Sequence, residues 1–128
     1  MPHFVIECSE NVLWMKTPAD IMSVVYRAAE ASTLFVKNDI KVRVHSYNQY
    51  QLGEGKDSFL HVFAYIMQGR TTEQKAALSK LIVENLNNLL PAIGILSVNI
   101  SDFEQATYCN KAMIDPANKS GSRHFGLG

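Results

Sequence analysis

The sequence predicts a single α+β domain in which two consecutive β-α-β units form one four-stranded sheet. Three observations carry this prediction. The length of 128 residues suits one domain. The hydrophobic pattern runs strand, helix, strand twice, and each half, 1–57 and 58–114, is about as long as one such unit needs. The remaining residues, 115–128, are rich in Gly, Ser, Asn and Lys, which is typical of a C-terminal tail.

The first unit begins with an apolar strand over residues 2–9. A helix follows, because Thr17 can cap its first turn and Pro18 suits its first position. Apolar residues then recur at helical spacing to about residue 32. Residues 40–45 alternate between apolar and polar side chains, which predicts the second strand.

The second unit repeats this order. Residues 59–67, which are aromatic and β-branched, predict the strongest strand of the chain. Thr71 and Gln74 have the spacing of a capping box, and Pro91 ends the helix that they begin. Residues 95–103 alternate again and predict the fourth strand.

Right-handed crossovers place both helices on one face of the sheet and leave the other face bare. Charged and aromatic side chains occupy this bare face: Lys41, Arg43 and His45 from the second strand, with His61, Phe63 and Tyr65 or their alternates from the third. A half-polar, half-aromatic sheet face predicts a subunit interface.

Composition excludes several classes of protein. Hydrophobic residues make up 47% and charged residues 19%, which is globular rather than disordered or fibrous. Twelve Lys and Arg residues balance twelve Asp and Glu residues, which argues against a nucleic-acid binder. No run of about 18 apolar residues and no signal peptide is present, so we expect a cytoplasmic protein without a membrane segment.

The cysteines and histidines do not predict a metal site or a disulfide. Cys8 and Cys109 lack CxxC spacing and are interpreted as reduced thiols of a cytosolic protein. The four histidines are scattered and form no HxxxH or HExxH pair.

Pro2 is the first candidate for chemistry. Removal of methionine before a small second residue would leave Pro2 with a free secondary amine. Burial disfavours the charged form of an amine, and a neutral amine at pH 7 can take and return a proton. The alternative is that Pro2 only controls terminal processing. The apolar strand that follows at once favours the functional interpretation, because it carries the amine into the fold.

Two arginines are candidates for anion binding. Arg43 shares a strand face with Lys41 and His45, and its guanidinium can bind a carboxylate bidentately; the alternative is a solvated sheet face. Arg70 follows a glycine at a helix start, where backbone N–H groups also attract anions; the alternative is a surface arginine in a turn. Among the aromatic residues that could line a pocket is Phe125 in the tail.

Three segments resemble the 5-carboxymethyl-2-hydroxymuconate isomerases of the tautomerase superfamily. They are residues 2–9 (PHFVIECS), 40–45 (IKVRVH) and 69–73 (GRTTE), and the resemblance covers roughly residues 1–112. It implies a homotrimer of two-unit subunits with a mixed sheet and no metal or cofactor. It also implies that an amino-terminal proline, Pro2, shuttles a proton by 1,3-keto–enol transfer on an unsaturated 2-hydroxy di- or tricarboxylate in homoprotocatechuate breakdown.

The shorter 4-oxalocrotonate tautomerases resemble one half of the chain. In that comparison the first half keeps Pro2 and Arg43, whereas Leu60 and Asn99 stand at the corresponding places of the second half, which keeps only Arg70. The resemblance therefore implies one active site per subunit, with Pro2 and Arg43 as catalytic residues. Lys41, Arg70, His45 and Phe125 are then predicted to bind the substrate.

Two departures from the pattern of the isomerase family leave other functions open. Lys41 stands where relatives often have a second arginine, and the glycine-rich tail resembles that of the shorter tautomerases. One alternative is a tautomerase of another unsaturated 2-oxo acid. The other is a non-catalytic trimeric binding module in the manner of macrophage migration inhibitory factor.

Overall fold

The computed structural model describes residues 1–115 and confirms the predicted α+β class. The chain forms a four-stranded mixed sheet with its two long helices on one face. The elements in order are β1 (His3–Ser9), α1 (Val12–Met15), α2 (Pro18–Ala31), β2 (Lys41–Tyr47), β3 (Phe59–Met67), α3 (Thr72–Leu89), β4 (Ile95–Phe103), a 3-10 turn (Gln105–Thr107) and α4 (Lys111–Ile114). The short elements α1, α4 and the 3-10 turn were not predicted, because three or four residues are too few to show a helical period. The predicted tail lies outside the described residues except for Asp115.

The sheet order is β2-β1-β3-β4, with β1 parallel to β2, β3 parallel to β4, and the two central strands antiparallel. Val5 of β1 pairs with Arg43 on one side and with Phe63 on the other, and Phe63 pairs with Asn99. These pairings across the sheet show that the two halves are related by an approximate twofold axis between Val5 and Phe63. Arg43 and Asn99 therefore occupy equivalent places in the two halves.

Local signals define both long helices as predicted. The Thr17 hydroxyl accepts a hydrogen bond from the Asp20 N–H at 3.1 Å, with Pro18 in the first turn. At the second helix the Gln74 N–H donates to the Thr71 hydroxyl at 3.1 Å, while the Gln74 side chain accepts from the Thr71 N–H at 2.8 Å. Caps of this kind each stabilise a protein by about 1 kcal/mol.

The core lies between the sheet and the two long helices. Even-numbered residues of the central strands pack there against the apolar stripes of α2 and α3. Its largest fully buried members include Phe4, Ile6, Leu60 and Val62 from the sheet and Ile21, Val25, Leu78, Ile82 and Leu86 from the helices. Burying one such side chain contributes about 1.5–3 kcal/mol, so this face of the sheet is strongly specified.

Odd-numbered residues of the four strands point to the opposite face, where all but Ser9 and Met67 at the strand ends are half-buried or exposed. Lys41, Arg43 and His45 lie on this face together with His61, Phe63 and Tyr65, as predicted. Over residues 1–115 the chain contains no helix with the length and apolar character that crossing a bilayer requires.

Candidate functional site

The amino terminus meets the start of β2, because parallel strands β1 and β2 begin at the same end of the sheet. The Lys41 N–H donates to the Pro2 carbonyl at 3.1 Å. The Asp39 carbonyl accepts from the Met1 ammonium at 3.5 Å and from the Lys41 ammonium at 2.5 Å. Two amino groups therefore share one backbone oxygen at the position where the chain begins its first strand.

This environment favours an uncharged amine. Burial, followed by the hydrogen bond and the positive charge of Lys41, lowers the pKa of the Met1 amine from 8.0 to about 5. A terminal amine at this place is therefore mostly neutral at pH 7. Pro2 itself is buried, and in the chain that carries Met1 its nitrogen is an amide.

Arg43 lies on the bare face of β2 and is exposed. Its Nη1 lies 3.1 Å from Nδ1 of His3, which is on the neighbouring strand. Burial lowers the pKa of His3, and the charges of Arg43, Lys41 and the amino terminus lower it further. These four groups (the terminal amine, His3, Lys41 and Arg43) form one set, called the amino-terminal cluster below.

Arg70 directly precedes the start of the second long helix, as the sequence predicts. The helix begins at Thr72 with Thr71 as its cap, and the Arg70 side chain turns to the protein's own backbone. Its guanidinium donates to the carbonyls of Leu34 and, at 3.3 Å, of Met67. It also lies 5.3 Å from the centre of the Phe35 ring, a distance that permits a cation–π contact. Arg70 therefore fastens the α2–β2 loop to the end of β3.

The buried setting of Arg70 lowers the pKa of its guanidinium, because desolvation disfavours the charge. Met67 lies two residues beyond Tyr65, the antiparallel partner of His3, so Arg70 is at the same end of the sheet as the amino terminus. The predicted contact between Arg70 and a substrate stays a prediction.

His45, another predicted substrate-binding residue, is not part of the amino-terminal cluster. His45 is on the same face as Arg43, but it lies four residues along β2 from Lys41, which is roughly 13 Å for an extended strand. Its ring packs edge-on against Tyr47, with 4.8 Å between the ring centres. Phe125 lies outside the described residues.

His3 was not singled out from the sequence, where it was counted only among four scattered histidines. The alternation of side chains along β1 puts His3 on the bare face. Only the register of β1 against β2 places it next to Lys41 and Arg43. The carbonyl of Asp39 was also missed, because a backbone acceptor leaves no mark in the sequence.

The second half contains a neutral counterpart of the cluster. His61 pairs with Ser97 across the strands as His3 pairs with Lys41. Its Nδ1 lies 2.6 Å from the Ser97 hydroxyl, and its Nε2 lies 2.6 Å from the Asn99 side-chain oxygen. The fold therefore repeats the histidine, while the two cations of the first half are replaced by Ser97 and Asn99.

An open groove lies beside Lys41, between edge strand β2 and helix α2. Its wall is formed by Ile40, Lys41 and Val42 from the strand region and by Met22, Tyr26 and Glu30 from the helix. Of the amino-terminal cluster, Lys41 lines this groove, whose other charged side chains are Arg27 and Glu30. In residues 1–115 no three His, Cys, Asp or Glu side chains come together as metal ligands would.

Comparisons with known proteins find one family along most of the chain. The family model of 5-carboxymethyl-2-hydroxymuconate isomerase matches residues 2–116. A 5-carboxymethyl-2-hydroxymuconate Delta-isomerase from Escherichia coli is 25% identical over 95 residues, which are 73% of this chain and 75% of that protein.

Solved structures share the fold. A 5-carboxymethyl-2-hydroxymuconate isomerase from Deinococcus radiodurans R1 superimposes with a TM-score of 0.75 at 22% identity, covering 95% of this chain and 92% of the other. The Q0 fused 4-OT wild type symmetric trimer gives a TM-score of 0.71 at 16% identity, covering 85% and 91%.

Proposed function

Because the chain belongs to the 5-carboxymethyl-2-hydroxymuconate isomerase family, we propose that it moves a double bond by keto–enol proton transfer in 5-carboxymethyl-2-hydroxymuconate or a similar 2-hydroxydienoate. The observation that carries this proposal is the amino-terminal cluster, where a terminal amine with a pKa of about 5 lies beside Lys41 and near His3 and Arg43. The physiological setting that we propose is homoprotocatechuate breakdown in the cytoplasm.

Pro2 is the proposed base, and it acts once Met1 has been removed. Its nitrogen is then a secondary amine at the buried start of the chain, one residue from the Met1 amine on which the charge of Lys41 acts. Desolvation and the positive charge both disfavour protonation, which supports a neutral amine at pH 7. The amine takes a proton from the substrate and returns it to a carbon of the same molecule, so the net reaction is an isomerisation.

Arg43 is the proposed partner of the negative charge. Removing a proton from the 2-hydroxydienoate leaves an oxyanion, and the guanidinium fork can bind this oxygen or a neighbouring carboxylate with two parallel hydrogen bonds. Lys41 adds a point charge without that fork. His45, Arg70 and Phe125 complete the proposed substrate-binding set, with Arg70 acting through the loop that it fastens. Proton transfer needs no metal or organic cofactor, and none is proposed.

The proposed assembly is a homotrimer in which the bare sheet face is covered by other copies of the chain. Support comes from the half-buried apolar side chains on that face, Val5, Phe63 and Tyr65. The expected solution mass is therefore three times the 14.3 kDa of one chain. Light scattering at micromolar concentration checks this, and a monomer would rule out the assembly.

A pair of variants locates the interface. Phe63→Asp puts a charge in the middle of the bare face and is expected to give monomers. Trp14→Ser is the control, because Trp14 is 78% exposed in the short helix α1 and is not a strand residue. If Phe63→Asp remained trimeric, the interface would have to lie elsewhere.

Substrate profiling tests the proposed reaction. The chain is first verified by intact mass to have lost Met1. We then expect it to convert both 5-carboxymethyl-2-hydroxymuconate and 2-hydroxymuconate, and the loss of the dienol absorbance measures the rate. The value of kcat/KM should be roughly ten- to a hundredfold higher for the first compound, because one more carboxylate can pair with a cation for about 1.5–3 kcal/mol.

The other outcomes select the alternatives. A higher kcat/KM for 2-hydroxymuconate, or for another unsaturated 2-oxo acid, indicates a different tautomerase. A trimmed, trimeric chain without turnover of any dienoate indicates a binding module.

A further inference from the structure

His3 makes a side-chain contact that has no part in the proposed proton transfer. Its Nδ1 lies 3.1 Å from Nη1 of Arg43, forty positions away in the chain. Arginine nitrogens only donate, so Nδ1 of His3 is the acceptor and its ring carries the proton on Nε2. Among the described residues, His3 is the one side chain to which Arg43 is hydrogen bonded.

An exposed arginine on an edge strand would otherwise sample many rotamers. The His3 end of this contact is restrained, because His3 is part of central strand β1 and its ring packs edge-on against Phe103, with 6.2 Å between the ring centres. A fixed acceptor holds the guanidinium in one orientation before any ligand arrives. This lowers the entropic cost of placing the Arg43 fork on an anion.

We propose that His3 is a positioning residue, whose neutral imidazole orients Arg43 for the negative charge of the substrate. The inference rests on the proposed function and extends it to a residue that contacts the substrate only through Arg43.

The groups around His3 keep its ring neutral. Lys41 and Arg43 face it from β2, Tyr65 is its partner on β3, and the amino terminus lies nearby. Burial and the positive charges of Arg43 and Lys41 lower the pKa of His3, so at pH 7 the ring can accept a hydrogen bond. An imidazolium would carry protons on both nitrogens and could not accept from Arg43.

The experiment compares His3→Leu, which removes the acceptor, with His3→Asn, whose side-chain oxygen can replace Nδ1. We expect His3→Leu to lower kcat/KM about tenfold, mostly through a higher KM. His3→Asn should return kcat/KM to within about threefold of the unmodified sequence. A merely structural histidine would not be rescued by this short amide.

His61→Leu is the matched control, since it removes the equivalent histidine of the second half, where the partners are Ser97 and Asn99. The kcat/KM of His61→Leu should stay within about twofold of the value for the unmodified sequence. In an Arg43→Ala background, His3→Leu should cause no further loss. Equal activity of His3→Leu and His3→Asn, or a full tenfold loss in the Arg43→Ala background, would overturn the inference.

Nitrogen NMR of the histidine rings tests the contact without turnover. At pH 7 the Nδ1 resonance of His3 should report an unprotonated, hydrogen-bonded nitrogen, and it should shift in Arg43→Ala. An unshifted resonance overturns the inference whatever the activity. If the unmodified chain lacks isomerase activity while this shift is present, the proposed function fails and the His3–Arg43 contact stands.

Discussion

A chain that keeps Met1 is expected to fold, to assemble as a trimer, and to ketonise 2-hydroxymuconate at least about a hundredfold more slowly than the trimmed chain. With Met1 attached, the nitrogen of Pro2 is a tertiary amide that has no basic lone pair and no proton to exchange. A general base contributes about 10²- to 10⁴-fold to a rate, so its loss should be of this size. The measurement is the rate for chains of verified intact mass, with and without Met1.

The pH profile of the trimmed chain should identify the same group. A protonated amine cannot act as a base, so kcat/KM should fall as the pH falls through the pKa of Pro2. The Met1 amine at this place has a pKa of about 5 because of burial and Lys41. The ascending limb should therefore lie below the pKa of about 7.7–8.0 that a free terminus has.

Pro2→Ala serves as the control, because a trimmed alanine still offers a primary amine at the same place. It should retain part of the activity and an ascending limb. If the chain with Met1 turns over as fast as the trimmed chain, Pro2 is not the base and the proposed mechanism is wrong.

Arg43→Ala is expected to lower kcat/KM for a dienedioate by roughly 30- to 1,000-fold, which corresponds to about 2–4 kcal/mol of transition-state stabilisation. The free energy of unfolding should change by less than about 0.5 kcal/mol, because the side chain is exposed. Steady-state kinetics and denaturant unfolding of the same preparations separate the two effects.

Two variants make the comparison specific. Lys41→Ala should lose less than Arg43→Ala, since a lysine lacks the bidentate fork. Asn99→Ala changes the equivalent place of the second half and should leave kcat/KM nearly unchanged. Small and equal losses for Arg43→Ala and Lys41→Ala would mean that this face binds no substrate charge.

The position of Arg70 shows that a correctly predicted element does not reveal which groups a side chain contacts within the protein. The segment around it was predicted well, since Thr71 and Gln74 form the capping box that their spacing indicates. The guanidinium, however, is hydrogen bonded to the carbonyls of Leu34 and Met67. A loop that packs near the core leaves carbonyls that need donors, and the sequence does not show which side chain supplies them.

Strands, long helices and the two-unit order were accessible from the sequence because they depend on neighbouring residues. Alternation along 40–45 assigns Lys41 and Arg43 to one face, and the capping residues act within one turn of helix. The candidates Pro2 and Arg43 came from chemistry and from family resemblance in the same local segments.

Only the tertiary structure decided which of these side chains meet. The register of β1 against β2 brings His3 to Lys41 and Arg43, and it brings the amino terminus to the carbonyl of Asp39. The same register in the second half gives His61 the neutral partners Ser97 and Asn99. Such pairings join residues about forty positions apart, so they depend on how the whole sheet packs on its helices, which no local pattern encodes.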